Sequence, residues 1–140
     1  MRTLIRNGTI LTMEGPEPEL VFGDLGLDGS RIAFIGSSPA GFSPERTIDA
    51  AGGVVMPGLV DAHTHIAMSL LRHYADDLPF WNWLFERVLP AEEKLCGRYV
   101  YDGSTLSLAE MIRGGVTCFA DMYFFMDEVA RATERAGLRA

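Results

Sequence analysis

The order of predicted elements changes at Pro57, and this change limits the folds that are open to the chain. Before it, short aliphatic and β-branched stretches are separated by turn dipeptides, which predicts strands alone. After it the elements alternate: strand 57–62, helices 80–95 and 99–113, strand Val116–Asp121, helix 125–136 and the start of a third strand at 138–140. Strands that alternate with helices favour an α/β fold with a parallel sheet.

Two turn dipeptides divide the part of the chain that precedes Pro57. Asn7-Gly8 and Asp28-Gly29 each lie between two strand-like stretches. Both dipeptides readily adopt the positive φ angles of a two-residue type I′ turn. The pattern therefore predicts two β hairpins, and their turns are expected to serve the fold rather than a ligand.

Two histidines stand at the end of the strand that follows Pro57, in the run Met-Pro-Gly-Leu-Val-Asp-Ala-His-Thr-His-Ile of residues 56–66. In an extended segment alternate side chains point to the same side, so His63 and His65 are expected to share a face. Imidazole is a common zinc ligand, and a catalytic zinc usually has three protein ligands. Paired histidines also occur on solvated strand edges, but the residues around this pair favour metal ligation. His63 and His65 would then provide about half of the ligands of a metal site.

Composition and charge narrow the range of partners. With 48 % hydrophobic and 22 % charged residues the chain is typical of globular proteins. A net charge of −7 without a basic cluster argues against nucleic acid. Cys96 and Cys118 are far apart, as expected of thiols in a reducing compartment. The amino terminus lacks the features of a signal peptide and no long apolar run appears, so we expect a cytoplasmic protein without a membrane partner.

Several motifs resemble those of the amidohydrolase superfamily. Residues 57–65 match the superfamily's first-strand pattern Pro-Gly-Leu-Val-Asp-x-His-x-His. Within it, the chain is most similar to the aminohydrolase branch that includes 5-methylthioadenosine/S-adenosylhomocysteine deaminases, chlorohydrolases and guanine deaminases. The residues that carry this likeness are Met-Ser-Leu-Leu-Arg 68–72, Asp-Asp-Leu 76–78, Trp-Leu 83–84, Val-Leu-Pro-Ala-Glu 88–92 and Asp-Met-Tyr 121–123.

The resemblance implies a fold as well as a family. Residues 1–55 would form the amino-terminal part of a small β sandwich, and residues 56–140 the first strands and helices of a metal-dependent (β/α)8 TIM barrel. Such a barrel needs about 250 residues, so 56–140 accommodates about two βα units. We therefore expect the chain to be the amino-terminal fragment of a larger enzyme, and to be inactive alone.

The resemblance also implies a reaction for the complete protein. It would be a metal-dependent hydrolase of carbon–nitrogen bonds that deaminates an adenosine-type purine nucleoside with water. One divalent ion, zinc or alternatively iron, would be held by His63, His65 and later ligands. The proton-transfer residues would also lie beyond Ala140, so no catalytic residue is expected in this chain. The resemblance implies no partner other than this small-molecule substrate and water. It leaves open whether the full-length protein forms a homo-oligomer.

Two residues are candidates for substrate binding. In adenosine-type deaminases the Glu that corresponds to Glu92 binds the ribose hydroxyls, and a carboxylate can accept two hydrogen bonds from a vicinal diol. The alternative for Glu92 is an exposed charge at a helix start. Trp83 is a candidate wall of the purine pocket, with packing in a core or interface as an equal alternative. His73, where many relatives have Gly, is expected in the loop after the strand rather than on the metal.

Other functions remain open at this point. The same half-site would also serve a guanine deaminase or a chlorohydrolase. A non-catalytic member that keeps the fold as a scaffold is the alternative from another class. The zinc signature of the cytidine deaminases, His-x-Glu with Pro-Cys-x-x-Cys, does not occur in the chain, which excludes that chemistry.

Overall fold

In the computed structural model, which describes residues Met1–Ala140, the chain divides after Pro57 into two units. The first unit contains strands only: β1 (Arg2–Leu11), β2 (Leu20–Asp28), β3 (Arg31–Gly36), β4 (Arg46–Asp49) and β5 (Val54–Val55). They form one sheet in the order β3-β2-β1-β4, in which β5 also pairs with β1. The β1–β2 and β2–β3 pairs are antiparallel, whereas β4 and β5 lie parallel to β1.

One of the two predicted hairpins is present. Strands β2 and β3 are joined through Gly29 and Ser30, with Asp28 opposite Arg31. The turn lies one residue later than predicted, at Gly29 and Ser30 instead of Asp28 and Gly29. Gly29 supplies the positive φ, +60°, that a tight hairpin turn requires.

The prediction of a hairpin at Asn7-Gly8 is wrong, because both residues lie within the continuous strand β1. Asn7 does adopt a positive φ of 57°, but in a β-bulge: the register with β2 shifts between Ile5 and Gly8. The Asn7 side-chain amide donates to both carboxylate oxygens of Asp49, at 3.1 and 3.2 Å. A Cβ on Gly8 would lie 2.9 Å from the Val55 side chain, so glycine also lets β5 approach β1.

The second unit alternates between strands and helices, as predicted. It comprises β6 (Leu59–Thr64), a 3₁₀ segment (Ile66–Leu71), α1 (Phe80–Asn82), a π-helical segment (Trp83–Val88), α2 (Leu89–Glu92), α3 (Gly97–Gly114), β7 (Val116–Asp121) and α4 (Met126–Ala136). Strands β6 and β7 are parallel, and Arg139 forms a further parallel bridge with Cys118. None of the helices is long and apolar enough to cross a membrane.

Helix α3 is the element around which this unit packs. Its buried residues Val100 and Leu108 belong to one apolar cluster with residues of the 3₁₀ segment, β7 and α4. The helix ends where Gly115 takes a φ of +83°, so that its N–H reaches the Ile112 carbonyl at 3.2 Å. This glycine cap allows the chain to turn back immediately into β7.

The 3₁₀ segment that follows His65 is fixed against α3 by two hydrogen bonds and one close backbone approach. Ser69 Oγ donates to the Gly103 carbonyl at 2.8 Å, and Ser107 Oγ donates to the Ile66 carbonyl at 2.6 Å. A Cβ on Gly103 would lie 2.6 Å from the Ala67 carbonyl oxygen. Glycine at position 103 therefore lets helix and segment touch.

Replacing Gly103 by Ala should lower the free energy of unfolding of the full-length protein by about 1–3 kcal/mol, because the added methyl group collides with backbone. Gly114→Ala is the matched control, since nothing lies within 4 Å of a Cβ there. That change, in the last turn of the same helix, should be neutral or stabilising by up to about 1 kcal/mol. Chemical denaturation of both variants measures the difference; equal effects would contradict the close approach.

Candidate functional site

The carboxyl ends of the parallel strands β6 and β7 bring the first site residues together. Thr64, the last residue of β6, lies opposite Asp121, the last residue of β7. His63 lies within β6 and His65 directly follows it. Their rings are 5.2 Å apart between centroids, with planes at 82°. The structure therefore places the two predicted metal ligands next to each other.

A β-bulge contributes to this arrangement. The pairing register between β6 and β7 shifts between Asp61 and Thr64, so His63 lies in an irregular stretch. The His63 N–H lies 3.3 Å from Oδ1 of Asp61 and donates to that side chain. Asp61 thus stabilises the irregular backbone at His63. The alternation of side chains along a regular strand does not predict this role.

The ring of His65 is held in one tautomer by the backbone of the neighbouring loop. Its Nδ1 lies 2.8 Å from the carbonyl oxygen of Met122. A carbonyl only accepts, so Nδ1 carries the proton and donates, and the lone pair of the ring is on Nε2. This is the usual arrangement of a metal-binding histidine, whose second nitrogen is engaged by a carbonyl or carboxylate.

Asp121 places a buried negative charge beside the same ring. Its side chain is 1 % exposed, and its Oδ1 lies 3.7 Å from Nδ1 of His65. Oδ2 accepts from the Ile66 N–H at 3.2 Å, whereas the buried Oδ1 has no hydrogen-bond partner. Burial of a carboxylate oxygen without a partner is costly unless a nearby positive charge compensates it.

These features fit a divalent cation. Two imidazoles on one tetrahedral zinc ion would have ring centroids about 5 Å apart, close to the separation of His63 and His65. A cation at His65 would also offset the charge of Asp121. The chain has no group of three or more His, Cys, Asp or Glu side chains arranged to hold a metal ion. The pair therefore accounts for two ligands of such a site.

Both histidines face a pocket of about 480 Å³ with largely apolar walls. Besides the histidines, Glu92 and Tyr123 supply its polar groups. Its apolar walls are formed by Met68, Phe80, Trp83, Leu84, Val88, Met122 and Phe124. An apolar cavity with a few convergent polar groups is the usual form of a small-molecule site.

Trp83 lines this pocket because it begins the π-helical segment. Hydrogen bonds in a π-helix join residues five apart, so Trp83 and Val88 lie on nearly the same side of the segment, and both line the pocket. Trp81 and Phe85 stack on each other at 5.6 Å between centroids, are mostly exposed and do not line the pocket. Trp83, the candidate wall of the purine pocket, therefore lines the site, whereas these two neighbouring aromatic residues do not.

Glu92 is half-buried at the end of α2 and not an exposed charge at a helix start. Its Oε1 accepts a hydrogen bond from the Tyr123 hydroxyl at 2.6 Å. The pKa of the Tyr123 phenol lies above its ordinary value, first because of burial and then because its hydrogen bond to Glu92 favours the neutral form. The Glu92 carboxylate, a candidate for substrate binding, is thus held by a hydrogen bond from Tyr123.

Tyr123 is the site residue that sequence reasoning did not assign to the site. Its ring also stacks on His65, with centroids 6.1 Å apart and planes at 29°. It follows the end of β7 by two residues, and sites in parallel sheets collect at the carboxyl ends of strands. The position of Tyr123 just after the carboxyl end of a strand could therefore have indicated that it belongs to the site.

His73 lies away from these residues. Its side chain is 81 % exposed, and its Nδ1 lies 2.8 Å from a carboxylate oxygen of Asp76. It does not line the pocket. The prediction that this third histidine lies in the loop after the strand agrees with its position.

Comparison with known proteins decides the family. The model of the amidohydrolase family matches residues 54–140, which is more than half of the chain. The chain belongs to the amidohydrolase family. The resemblance seen in its motifs is confirmed.

Curated relatives of this amidohydrolase chain are named as deaminases. It is 49 % identical over 140 residues to a 5-methylthioadenosine/S-adenosylhomocysteine deaminase of Pelotomaculum thermopropionicum, covering 98 % of this chain and 32 % of the relative. It is also 49 % identical over 137 residues to a 5'-deoxyadenosine deaminase of Methanosarcina mazei, with the same coverage. The chain thus spans about a third of the length of the curated relatives it matches.

The fold is shared with a solved structure. An adenosine deaminase from Xanthomonas campestris with bound zinc superimposes with a TM-score of 0.88 at 37 % identity, covering 99 % of this chain and 32 % of that one. The predicted fold class, α/β with the start of an amidohydrolase TIM barrel, is confirmed.

The raised pKa of Tyr123 predicts a pH dependence of the stability of this amidohydrolase. An unfolded tyrosine ionises near pH 10 whereas folded Tyr123 stays neutral, so its contribution is complete below about pH 10 and is lost as the pH rises above that value. The stability advantage of the wild type over Tyr123→Phe should therefore shrink between about pH 9 and 11. Denaturation at both pH values measures it, with the exposed Tyr99→Phe as control. An advantage that grows with pH would contradict the shift.

Proposed function

We propose that the full-length protein is a metal-dependent hydrolase that deaminates an adenosine-type purine nucleoside: 5-methylthioadenosine, S-adenosylhomocysteine or adenosine. The observation that carries this proposal is that the histidine pair and Glu92 line one pocket. The names of the two relatives and of the zinc-containing adenosine deaminase support the substrate class. The part of the protein described here would supply two metal ligands and the group that binds the sugar.

His63 and His65 would hold the ion, and we propose zinc on the basis of the zinc-containing relative, with iron as the alternative. A bound divalent ion of this kind lowers the pKa of water and so provides hydroxide near neutral pH. The chain's own contribution is orientation. The Met122 carbonyl keeps the proton of His65 on Nδ1, and Asp121 places negative charge next to that ring.

The remaining pocket residues would bind the nucleoside. Trp83 offers a flat apolar face against which a purine can pack, and the apolar walls exclude water from the ring. Glu92 would accept hydrogen bonds from the vicinal hydroxyls of the ribose. A free base lacks this diol and would leave the half-buried carboxylate without its partners, which is unfavourable.

The two units correspond to two parts of a larger architecture. We propose that Met1–Pro57 contributes the amino-terminal strands of a small β sandwich, because its sheet is mixed and without helices. The unit Gly58–Ala140 contributes βα elements to the barrel.

The metal assignment is tested by replacing each histidine with Ala in the full-length protein. His63→Ala and His65→Ala should each remove bound metal and nearly all turnover, because each removes one bond to the ion. His73→Ala is the control, since its exposed ring lies outside the pocket, and it should retain both. Metal content and turnover are measured on the same samples. Stoichiometric metal and a normal rate in His63→Ala would overturn the assignment.

The substrate assignment is tested with Glu92→Gln. Loss of a charged acceptor for the ribose hydroxyls should cost about 1.5–3 kcal/mol, which reduces kcat/KM for adenosine-type nucleosides about ten- to a hundred-fold. Free purines should be affected far less. Glu93→Gln, at the exposed neighbouring position, is the control. An equal loss on nucleosides and free bases would remove Glu92 from a ribose site and favour a guanine deaminase or chlorohydrolase.

A further inference from the structure

The shortest hydrogen bond between residues that line the pocket joins two elements that are far apart in sequence. Glu92 ends α2 and Tyr123 follows β7, yet the Tyr123 hydroxyl lies 2.6 Å from Glu92 Oε1. This distance is within the range of about 2.5–2.7 Å that is typical of a hydroxyl donating to an ionised carboxylate. Such charge-assisted bonds are roughly twice as strong as those between neutral groups.

The Tyr123 ring is itself packed between neighbouring side chains. It stacks on His65 and packs against the apolar cluster of this unit. A glutamate side chain has three rotatable bonds, and fixing it costs conformational entropy. Because Tyr123 engages Oε1 in the free protein, that cost is met before a ligand arrives, and Oε2 is left to accept further hydrogen bonds.

We propose that Tyr123 is a positioning residue that holds the Glu92 carboxylate in the orientation that accepts the vicinal diol of the substrate. The inference rests on the proposed function, and adds a specificity role for a residue that touches neither the ion nor the reacting carbon. The same ring lies against His65, so one side chain spans the metal end and the sugar end of the pocket.

The test compares four forms of the full-length metal-loaded enzyme: wild type, Tyr123→Phe, Glu92→Gln and the double variant. Each is assayed with adenosine and with 2',3'-dideoxyadenosine, which lacks the diol. Tyr123→Phe keeps the ring and removes the hydroxyl, so KM for adenosine should rise roughly three- to tenfold while kcat stays within about twofold. KM for dideoxyadenosine should stay unchanged. In the Glu92→Gln background the change should add nothing, because the carboxylate that the Tyr123 hydroxyl orients is already absent.

Tyr99→Phe, at an exposed position of α3, controls for loss of a phenol hydroxyl in general. Equal effects of Tyr123→Phe on both substrates, or additive effects in the double variant, would overturn the inference. So would a lowered Tm without any diol-dependent change in KM, since that is the behaviour of a purely structural residue.

The outcome also separates this inference from the function on which it rests. If the wild type deaminates no adenosine-type nucleoside, the proposed function fails and the inference falls with it. If Glu92→Gln discriminates between the two substrates and Tyr123→Phe does not, only the inference fails.

A measurement on the wild type keeps the inference testable if Tyr123→Phe does not fold. In a crystal structure with bound inosine, the Tyr123 hydroxyl should remain within hydrogen-bond distance of Glu92 while Glu92 contacts the ribose hydroxyls. Separation of the two residues in that complex would overturn it.

Discussion

The parallel pairing of β6 with β7 is the constraint on which the site depends. It aligns Thr64 with Asp121, and this brings the residues after each strand within contact of one another. Only because of this alignment can the Met122 carbonyl reach Nδ1 of His65. Backbone hydrogen bonds of the sheet therefore position the end of the site that contains the two histidines, whereas Trp83 and Glu92 are positioned by the helical segments.

Helix α3 extends that constraint to the chain beyond His65. Hydrogen bonds from Ser69 and Ser107 tie the 3₁₀ segment to the helix, and Gly103 removes the side chain that would hold them apart. The segment leaves the strand at a defined angle as a result. One wall of the pocket, at Met68, is thereby positioned by contacts with α3.

The sequence predicted the fold well where local patterns decide it. The alternation of strands and helices after Pro57 was predicted, and the bounds of β7 were those observed. The Asn7-Gly8 hairpin was wrong because the dipeptide records only a preference for positive φ, and a bulge satisfies that preference as well as a turn does.

The candidate site was predictable only in part, for a similar reason. His63 and His65 were predicted as metal ligands from the whole run 57–65 that contains them, but the bulge that shapes this stretch depends on pairing with a distant strand. The contact between Tyr123 and Glu92 joins residues 31 positions apart, and no local pattern encodes it.

The π-helical segment at Trp83–Val88 gives the pocket an unusual tolerance to a change in chain length. Trp83 and Val88 are five positions apart in this wide turn, where hydrogen bonds join residues five apart. Loss of one residue from the segment would convert the wide turn into an α-helical one and leave the two residues four positions apart. Four residues of an α-helix advance by about 400°, so Trp83 and Val88 would still lie on nearly the same face. Loss of one residue from a regular α-helix such as α3 would instead rotate the residues on its two sides by about 100° relative to each other.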